Sequence, residues 1–148
     1  MPTEVLSDDK KIPQDNATQQ ETILLPERSV VWLVEDDEEV CRVMREQLEK
    51  MGFMVQHFDR AEAVIDALNN ALIPDAIVSD VNLAGTMSGV ELAHSIRVDA
   101  SGFRGPILLM SGLPKDELKQ KYQLKEKDLF ISKPFTIKAL SRIFQVQR

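Results

Sequence analysis

Apolar residues along this chain fall into short unbroken runs, separated by longer stretches in which they recur at helical intervals. Val30–Val34 is continuously apolar, as a strand covered on both faces would be. Over residues 38–51, Val40, Met44, Leu48 and Met51 share one face of a helix. Glu38 and Glu39 stand in its first turn, where the helix dipole favours anions, and Gly52 supplies the residue that closes it. Met54–Phe58 reads as a second strand, and Gln56 and His57 within it mark an edge position. Asp59 is a candidate N-cap for a helix over 60–70 that presents Ala61, Val64, Ile65, Leu68 and Leu72 on one face.

Ala76–Asp80 is the third strand. A glycine-containing loop leads from it to a helix over 89–98, with Val90, Ala93 and Ile96 inward and Ser88 and Glu91 in capping-box spacing. Gly102, Gly105 and Pro106 mark a loop before the fourth strand, Ile107–Met110. Residues 112–128 mix lysines with acids, and Pro114, Leu118 and Tyr122 predict a short or irregular helix there. Leu129–Ser132 is the fifth strand, after which Thr136 caps a last helix carrying Ile137, Leu140, Ile143 and Phe144.

Strands that alternate with helical segments predict an α/β fold with a parallel sheet between two helical layers. Right-handed crossovers leave few topologies, and the commonest is the flavodoxin-like (βα)5 three-layer sandwich, a parallel five-stranded sheet of order 2-1-3-4-5. Residues 1–28 are polar and acidic, with Ile23-Leu24-Leu25 as the only apolar cluster, and read as a flexible N-terminal tail, with a docking peptide or a linker as the alternative; the domain proper is then 29–148.

Composition narrows the class. A chain of 148 residues with 28% charged residues suits one soluble domain, and a formal net charge of −6 disfavours direct binding to nucleic acid. No apolar run reaches the length of a membrane span, and the N-terminus lacks the apolar segment of a signal peptide. A single cysteine, Cys41, cannot form an internal disulfide, so a reducing cytoplasm is the expected setting.

The chemistry gathers where the strands end. Carboxyl ends of parallel strands share one edge of the sheet, and open α/β folds place their sites there. That edge would carry Glu35 and Asp36 from the first strand, Asp80 from the third, Ser111 from the fourth and Lys133 from the fifth. Converging carboxylates repel, at an effective dielectric of about 20, by several kcal/mol per contact. Either one acid stays protonated or a hard divalent cation binds; a solvent-facing cluster favours the cation, and Mg2+ suits one or two carboxylates plus phosphate oxygens. Lys133 can pair with a carboxylate and later with a phosphoryl oxygen, and a cis bond to Pro134 would aim it inward. Read singly, each group has a plainer alternative: an acidic triplet in a solvated loop, a surface lysine, a turn serine before Gly112 and Pro114. Trp32 reads as core packing, Cys41 as core or helix flank, and His57 and His94 as surface residues.

Taken in order, Val34-Glu35-Asp36-Asp37, Asp80 with Asn82 and Leu83, Leu109-Met110-Ser111-Gly112 and Lys133-Pro134-Phe135 resemble a response-regulator (CheY-like) receiver domain over about residues 28–148. The Ser-Gly pair after the fourth strand is most similar to receivers found with hybrid sensor kinases. The resemblance implies that Asp80 accepts a phosphoryl group from a histidine kinase or histidine phosphotransferase. It implies that Glu35, Asp36 and Asp80 hold Mg2+ with the backbone carbonyl of Asn82. Ser111 would be the switch hydroxyl, Phe130 the switch aromatic and Lys133 the phosphate-binding lysine. Ala84 departs from the proline usual after the acceptor, and Gly112 from the usual alanine. No residues follow Arg148 to form an output domain, so output is expected through a downstream protein partner, with homodimerisation left open. The alternative is a Mg2+-dependent phosphohydrolase with an aspartyl nucleophile, though Asn82 cannot supply the general acid such an enzyme uses two residues on. A nucleotide-binding domain is disfavoured because no glycine-rich phosphate loop follows the first strand.

Overall fold

The computed structural model describes residues 22–98, 102–124 and 128–147. Its elements in chain order are β1 (Ile23–Pro26), β2 (Val30–Val34), α1 (Glu38–Lys50), β3 (Met54–Phe58), α2 (Ala61–Asn69), β4 (Ala76–Asp80), α3 (Gly89–Val98), β5 (Ile107–Ser111), α4 (Lys115–Tyr122), β6 (Leu129–Ser132), α5 (Ile137–Leu140) and β7 (Phe144–Gln147). Five of the strands form one parallel sheet in the order β3-β2-β4-β5-β6. Numbered among themselves from the N-terminus, they run 2-1-3-4-5, as the alternation of apolar runs and helices predicts.

The period-two geometry of a strand divides the core between the sheet's two faces. Val31, Leu33, Val78, Leu108 and Met110 pack with Cys41, Met44 and Leu48 of α1 and with Leu140 of α5. Their neighbours Trp32, Val34, Ile77, Ile107 and Leu109 pack with α2, α3 and Leu118 of α4. Both faces are therefore covered, which is why β2, β4 and β5 contain no exposed residue, while the edge strand β3 tolerates Gln56 and His57.

Several helix ends follow the sequence closely. Asp37 caps α1 by accepting from the Val40 amide at 3.1 Å. Gly52 follows its last turn with a φ of 103°, a left-handed conformation that glycine adopts without steric cost. Ser88 and Glu91 form a reciprocal capping box at the start of α3, at 2.9 and 3.1 Å. The fourth helix is short, eight residues entered through Pro114.

Three expectations are corrected. The last helix is a single turn: Thr136 does cap it, accepting from the Ala139 amide at 3.1 Å, but the chain then turns at residues 141–143 and becomes β7. The reason lies in Phe144-Gln145-Val146-Gln147, which alternates apolar and polar with the period of a strand. Its partner is Ile23–Pro26, read from sequence as the end of a polar tail and in fact a strand, β1, paired in parallel with β7 from Ile23↔Phe144 to Pro26↔Gln147. The ladder buries Leu25 and Phe144 in the α1-side core, where the Phe53 ring meets Phe144 edge-on at 6.4 Å. The rest of the expected tail, residues 1–21, lies outside the described residues. The third correction concerns α2. Arg60, not Asp59, occupies its N-cap position and makes no side-chain cap bond; Asp59 stands one residue too early and pairs with the Arg60 guanidinium at 3.5 Å. Leu72 falls beyond the end of α2 and is largely exposed.

Candidate functional site

At the carboxyl edge of the sheet, β2 is followed directly by Glu35, which is only 1% exposed. Its backbone amide continues the β2–β3 ladder by donating to the Phe58 carbonyl at 3.0 Å, which fixes the residue in place. The next residue, Asp36, faces solvent. Asp37 turns the chain into α1, and its amide donates to Oε2 of Glu35 at 3.2 Å. Asp80 terminates β4 one strand over and is 6% exposed. Oxygens of Glu35, Asp36 and Asp80 all lie within 4.8 Å of one another.

Lys133 reaches this cluster from beyond the end of β6. Its Nζ lies 2.9 Å from Oε1 of Glu35 and 3.0 Å from Oδ2 of Asp80. Its backbone amide donates to the Ser111 carbonyl at 2.8 Å, the peptide to Pro134 is cis, and Phe135 is buried in the core behind it. The Asn82 amide donates to the other carboxylate oxygen of Asp80, Oδ1, at 3.4 Å. Ser111 is buried at the end of β5, where its hydroxyl accepts from the Leu113 amide at 3.0 Å. Phe130 lies outside the acid cluster, half-buried on β6 against the core that α3 and α4 cover.

Burial pushes the Glu35 carboxyl up from its ordinary pKa; the nearby Asp80 charge adds to this, while the Lys133 ammonium and the Asp37 amide pull against it. For Lys133, burial acts against the charged form, but the two carboxylates outweigh it and hold the ammonium above its ordinary value. With all three acids ionised, the cluster sets three negative charges against one ammonium, an excess of two. A hard, all-oxygen donor set with that excess fits a divalent cation such as Mg2+.

The packing also brings in residues that have no signal in the motif spacing. Gly89, the first residue of α3, donates its amide to the Val81 carbonyl at 2.8 Å. A Cβ at this position would collide with the carbonyl oxygen of Asp80 and lie 3.0 Å from Oγ of Ser79, so only glycine lets α3 begin this close to the acceptor strand. The Ser79 hydroxyl donates to that same Asp80 carbonyl at 2.9 Å. His57 is exposed as its position on the edge strand predicts, yet its Nε2 contacts the Glu35 carbonyl at 2.7 Å.

The family profile described as response regulator receiver domain matches residues 31–145. The chain belongs to the response regulator receiver domain family. It is thus a receiver domain of two-component signalling. Hybrid signal transduction histidine kinase D of Dictyostelium discoideum is 32% identical over 113 residues, which cover 76% of this chain and 7% of that protein. The heme response regulator HssR of Staphylococcus epidermidis is 28% identical over 108 residues, covering 73% of this chain and 46% of HssR. The receiver domain therefore spans less than half the length of either relative. Among solved structures, the receiver domain of a sensor histidine kinase from Pseudomonas aeruginosa has magnesium coordinated in its active site cleft. It superposes with a TM-score of 0.67 at 23% identity, covering 77% of this chain and 92% of that one. The chemotaxis response regulator CheY4 of Vibrio cholerae superposes with a TM-score of 0.63 at 25% identity, over 76% and 92% of the two chains. Among the described residues no helix is long and apolar enough to cross a membrane.

Proposed function

We propose that this receiver domain accepts a phosphoryl group on Asp80 from the phosphohistidine of a histidine kinase or histidine phosphotransferase, in a reaction that requires Mg2+. The observation that carries the reading is the Lys133 ammonium set between Glu35 and Asp80, at 2.9 and 3.0 Å, in an otherwise acidic and largely buried cluster. Phosphoryl transfer depends on positioning and on neutralised oxygens more than on covalent help from the protein. In this reading an oxygen of Asp80 attacks phosphorus as the bond to the histidine nitrogen breaks, and the imidazole leaves with its electron pair.

Lys133 first holds Asp80 through Oδ2 and then serves a phosphoryl oxygen as a point charge. Glu35, Asp36, Asp80 and the Asn82 carbonyl would hold Mg2+, which when bound would offset the excess negative charge and bind phosphoryl oxygens. The phosphorylated side chain adds negative charge and strong acceptor oxygens beside Ser111. Ser111 then trades the Leu113 amide for the phosphoryl group, and Phe130 rotates into the space left behind. The face made by β5, β6 and the helices that follow them, α4 and α5, is thereby switched toward a downstream protein partner. The acidic balance of the chain and its lone buried cysteine support a protein partner in the cytoplasm rather than nucleic acid.

The test is incubation with Mg2+ and acetyl phosphate, followed by intact mass. A gain of one phosphoryl group, dependent on Mg2+ and lost in Asp80→Asn, is expected. An unmodified protein, or the same gain in Asp80→Asn, would overturn the assignment of Asp80; sustained turnover of organic phosphates would favour a phosphohydrolase instead.

A further inference from the structure

The loop between β4 and α3 is tied down at two places outside the acid cluster. Its neck closes where the Gly89 amide meets the Val81 carbonyl at 2.8 Å. Its far side is held by α2. There Oε2 of Glu62 accepts from the Thr86 amide at 3.2 Å and from the Thr86 hydroxyl at 2.8 Å, and Arg60 forms a parallel β-bridge with Ala84. Gly85 sits beneath the carboxylate with a φ of 95°, and a Cβ there would stand 2.9 Å from Oε1 of Glu62. That oxygen is covered and has no hydrogen-bond partner.

These contacts commit the carboxylate to the loop. A glutamate on the open side of a helix would ordinarily keep both oxygens in water, since a covered acceptor without a partner is costly. Here one oxygen is sacrificed so that the other can take two donors from Thr86, and those bonds hold the carboxyl below its usual pKa. What is secured lies four residues back along the loop. The two carboxylate oxygens of Asp80 have different partners: Oδ2 is held by Lys133 at 3.0 Å, and Oδ1 by the Asn82 amide at 3.4 Å. The second contact is at the limit of a hydrogen bond, so a small displacement of the loop breaks it.

We propose that Glu62 is a positioning residue for the chemistry at Asp80: by pinning Thr86, it holds the Asn82 backbone against the acceptor carboxylate. This rests on the function proposed above. Glu62 touches neither the acceptor nor Lys133. Its effect is carried by the loop, much as outer groups orient the first ligands of a metal site.

Three readouts test it on the full chain: hydrogen exchange of the Asn82 and Thr86 amides without metal, Mg2+ affinity by calorimetry, and the rate of labelling by acetyl phosphate. Glu62→Ala is expected to speed exchange at both amides and to weaken Mg2+ binding and slow labelling by about 10-fold, with the melting temperature little changed. Glu62→Gln is expected to restore all three, because its amide oxygen can accept from the same two donors. Adding Thr86→Val to Glu62→Ala is expected to add nothing. Gly85→Ala, which strains the backbone at a φ of 95° and also drives a methyl group against the carboxylate, is expected to impair the same three readouts and, unlike Glu62→Ala, to lower the melting temperature. Wild-type exchange and Mg2+ affinity in Glu62→Ala would overturn the proposal, as would a Glu62→Gln protein as impaired as the alanine variant. The two readings fail separately. If the wild-type protein is never labelled on Asp80, the proposed function falls while exchange and calorimetry still judge the latch; if it is labelled and Glu62→Ala behaves identically, only the latch falls.

Discussion

Replacing Lys133 with methionine keeps the bulk of the side chain and removes the one cation placed between Glu35 and Asp80. At an effective dielectric of about 20, contacts of 2.9 and 3.0 Å each attract by about 5.5 kcal/mol before the cost of desolvation. Removing one member of a buried ion pair leaves its partners uncompensated and typically costs about 3–5 kcal/mol. The Lys133 side chain is 19% exposed, so the lower end of that range, about 3 kcal/mol near pH 7.5, is expected.

The loss should depend on pH in a definite direction. Burial already raises the Glu35 pKa, and Lys133 is the strongest influence opposing that rise. Without the lysine, Glu35 titrates higher still. The penalty of Lys133→Met is therefore full above the variant's Glu35 pKa and shrinks as pH falls through it, because a protonated acid needs no cation. At the other end, the stabilising contribution of Lys133 is fully present below its ordinary pKa of 10.5 and is lost as pH rises through its higher folded value. The stability gap between wild type and variant is thus widest in between. Mg2+ stabilises both folded proteins, and it should narrow the gap because the variant's cluster, with one positive charge fewer, binds it more tightly; at saturating Mg2+ each tenfold difference in affinity closes about 1.4 kcal/mol. Urea unfolding can be followed through Trp32, the sole tryptophan, which is 2% exposed in the core. A gap that stays constant or widens from pH 8 to pH 5 would refute the electrostatic account, and so would indifference of the variant to Mg2+.

Other substitutions probe the supporting structure. Gly89→Ala is expected to cost about 2 kcal/mol in urea unfolding, through overpacking against the Asp80 carbonyl, and to slow labelling by acetyl phosphate as the acceptor strand shifts; wild-type values for both would refute the close-packing argument. Leu25→Ala is expected to lose about 2–4 kcal/mol and to speed hydrogen exchange through Phe144–Gln147, since Leu25 is buried where β1 meets β7; protection of those amides at wild-type level would mean the ladder does not depend on it. Cys41 is buried and its thiol is raised by that burial, so a disulfide reagent should modify it slowly in the native protein and rapidly in urea.

The five-stranded sheet was readable because a doubly covered parallel strand writes itself as an apolar run, and β2, β4 and β5 each do so. Membership of the acid and lysine cluster was readable for a related reason. In a parallel sheet all carboxyl ends point to one edge, so chain direction brings Glu35, Asp36, Asp80 and Lys133 to the same rim. Where local pattern was ambiguous, tertiary context decided. Ile143 and Phe144 fit a helix by spacing, yet they meet Ile23–Pro26, more than a hundred residues earlier, and the strand period of Phe144–Gln147 prevails once that partner is present.

Patterns of polarity along the chain settle which residues become strands, which helices cover them and which polar tips collect at one rim, because these depend on periodicity and chain direction. Contacts of the kind made by Lys133 with Glu35, 98 positions apart, by Glu62 with Thr86, and by Gly89 with the Asp80 carbonyl depend on how helices seat against the sheet. No local periodicity encodes that seating; it follows from close packing of the whole interior, which fixes positions to within an atom's width.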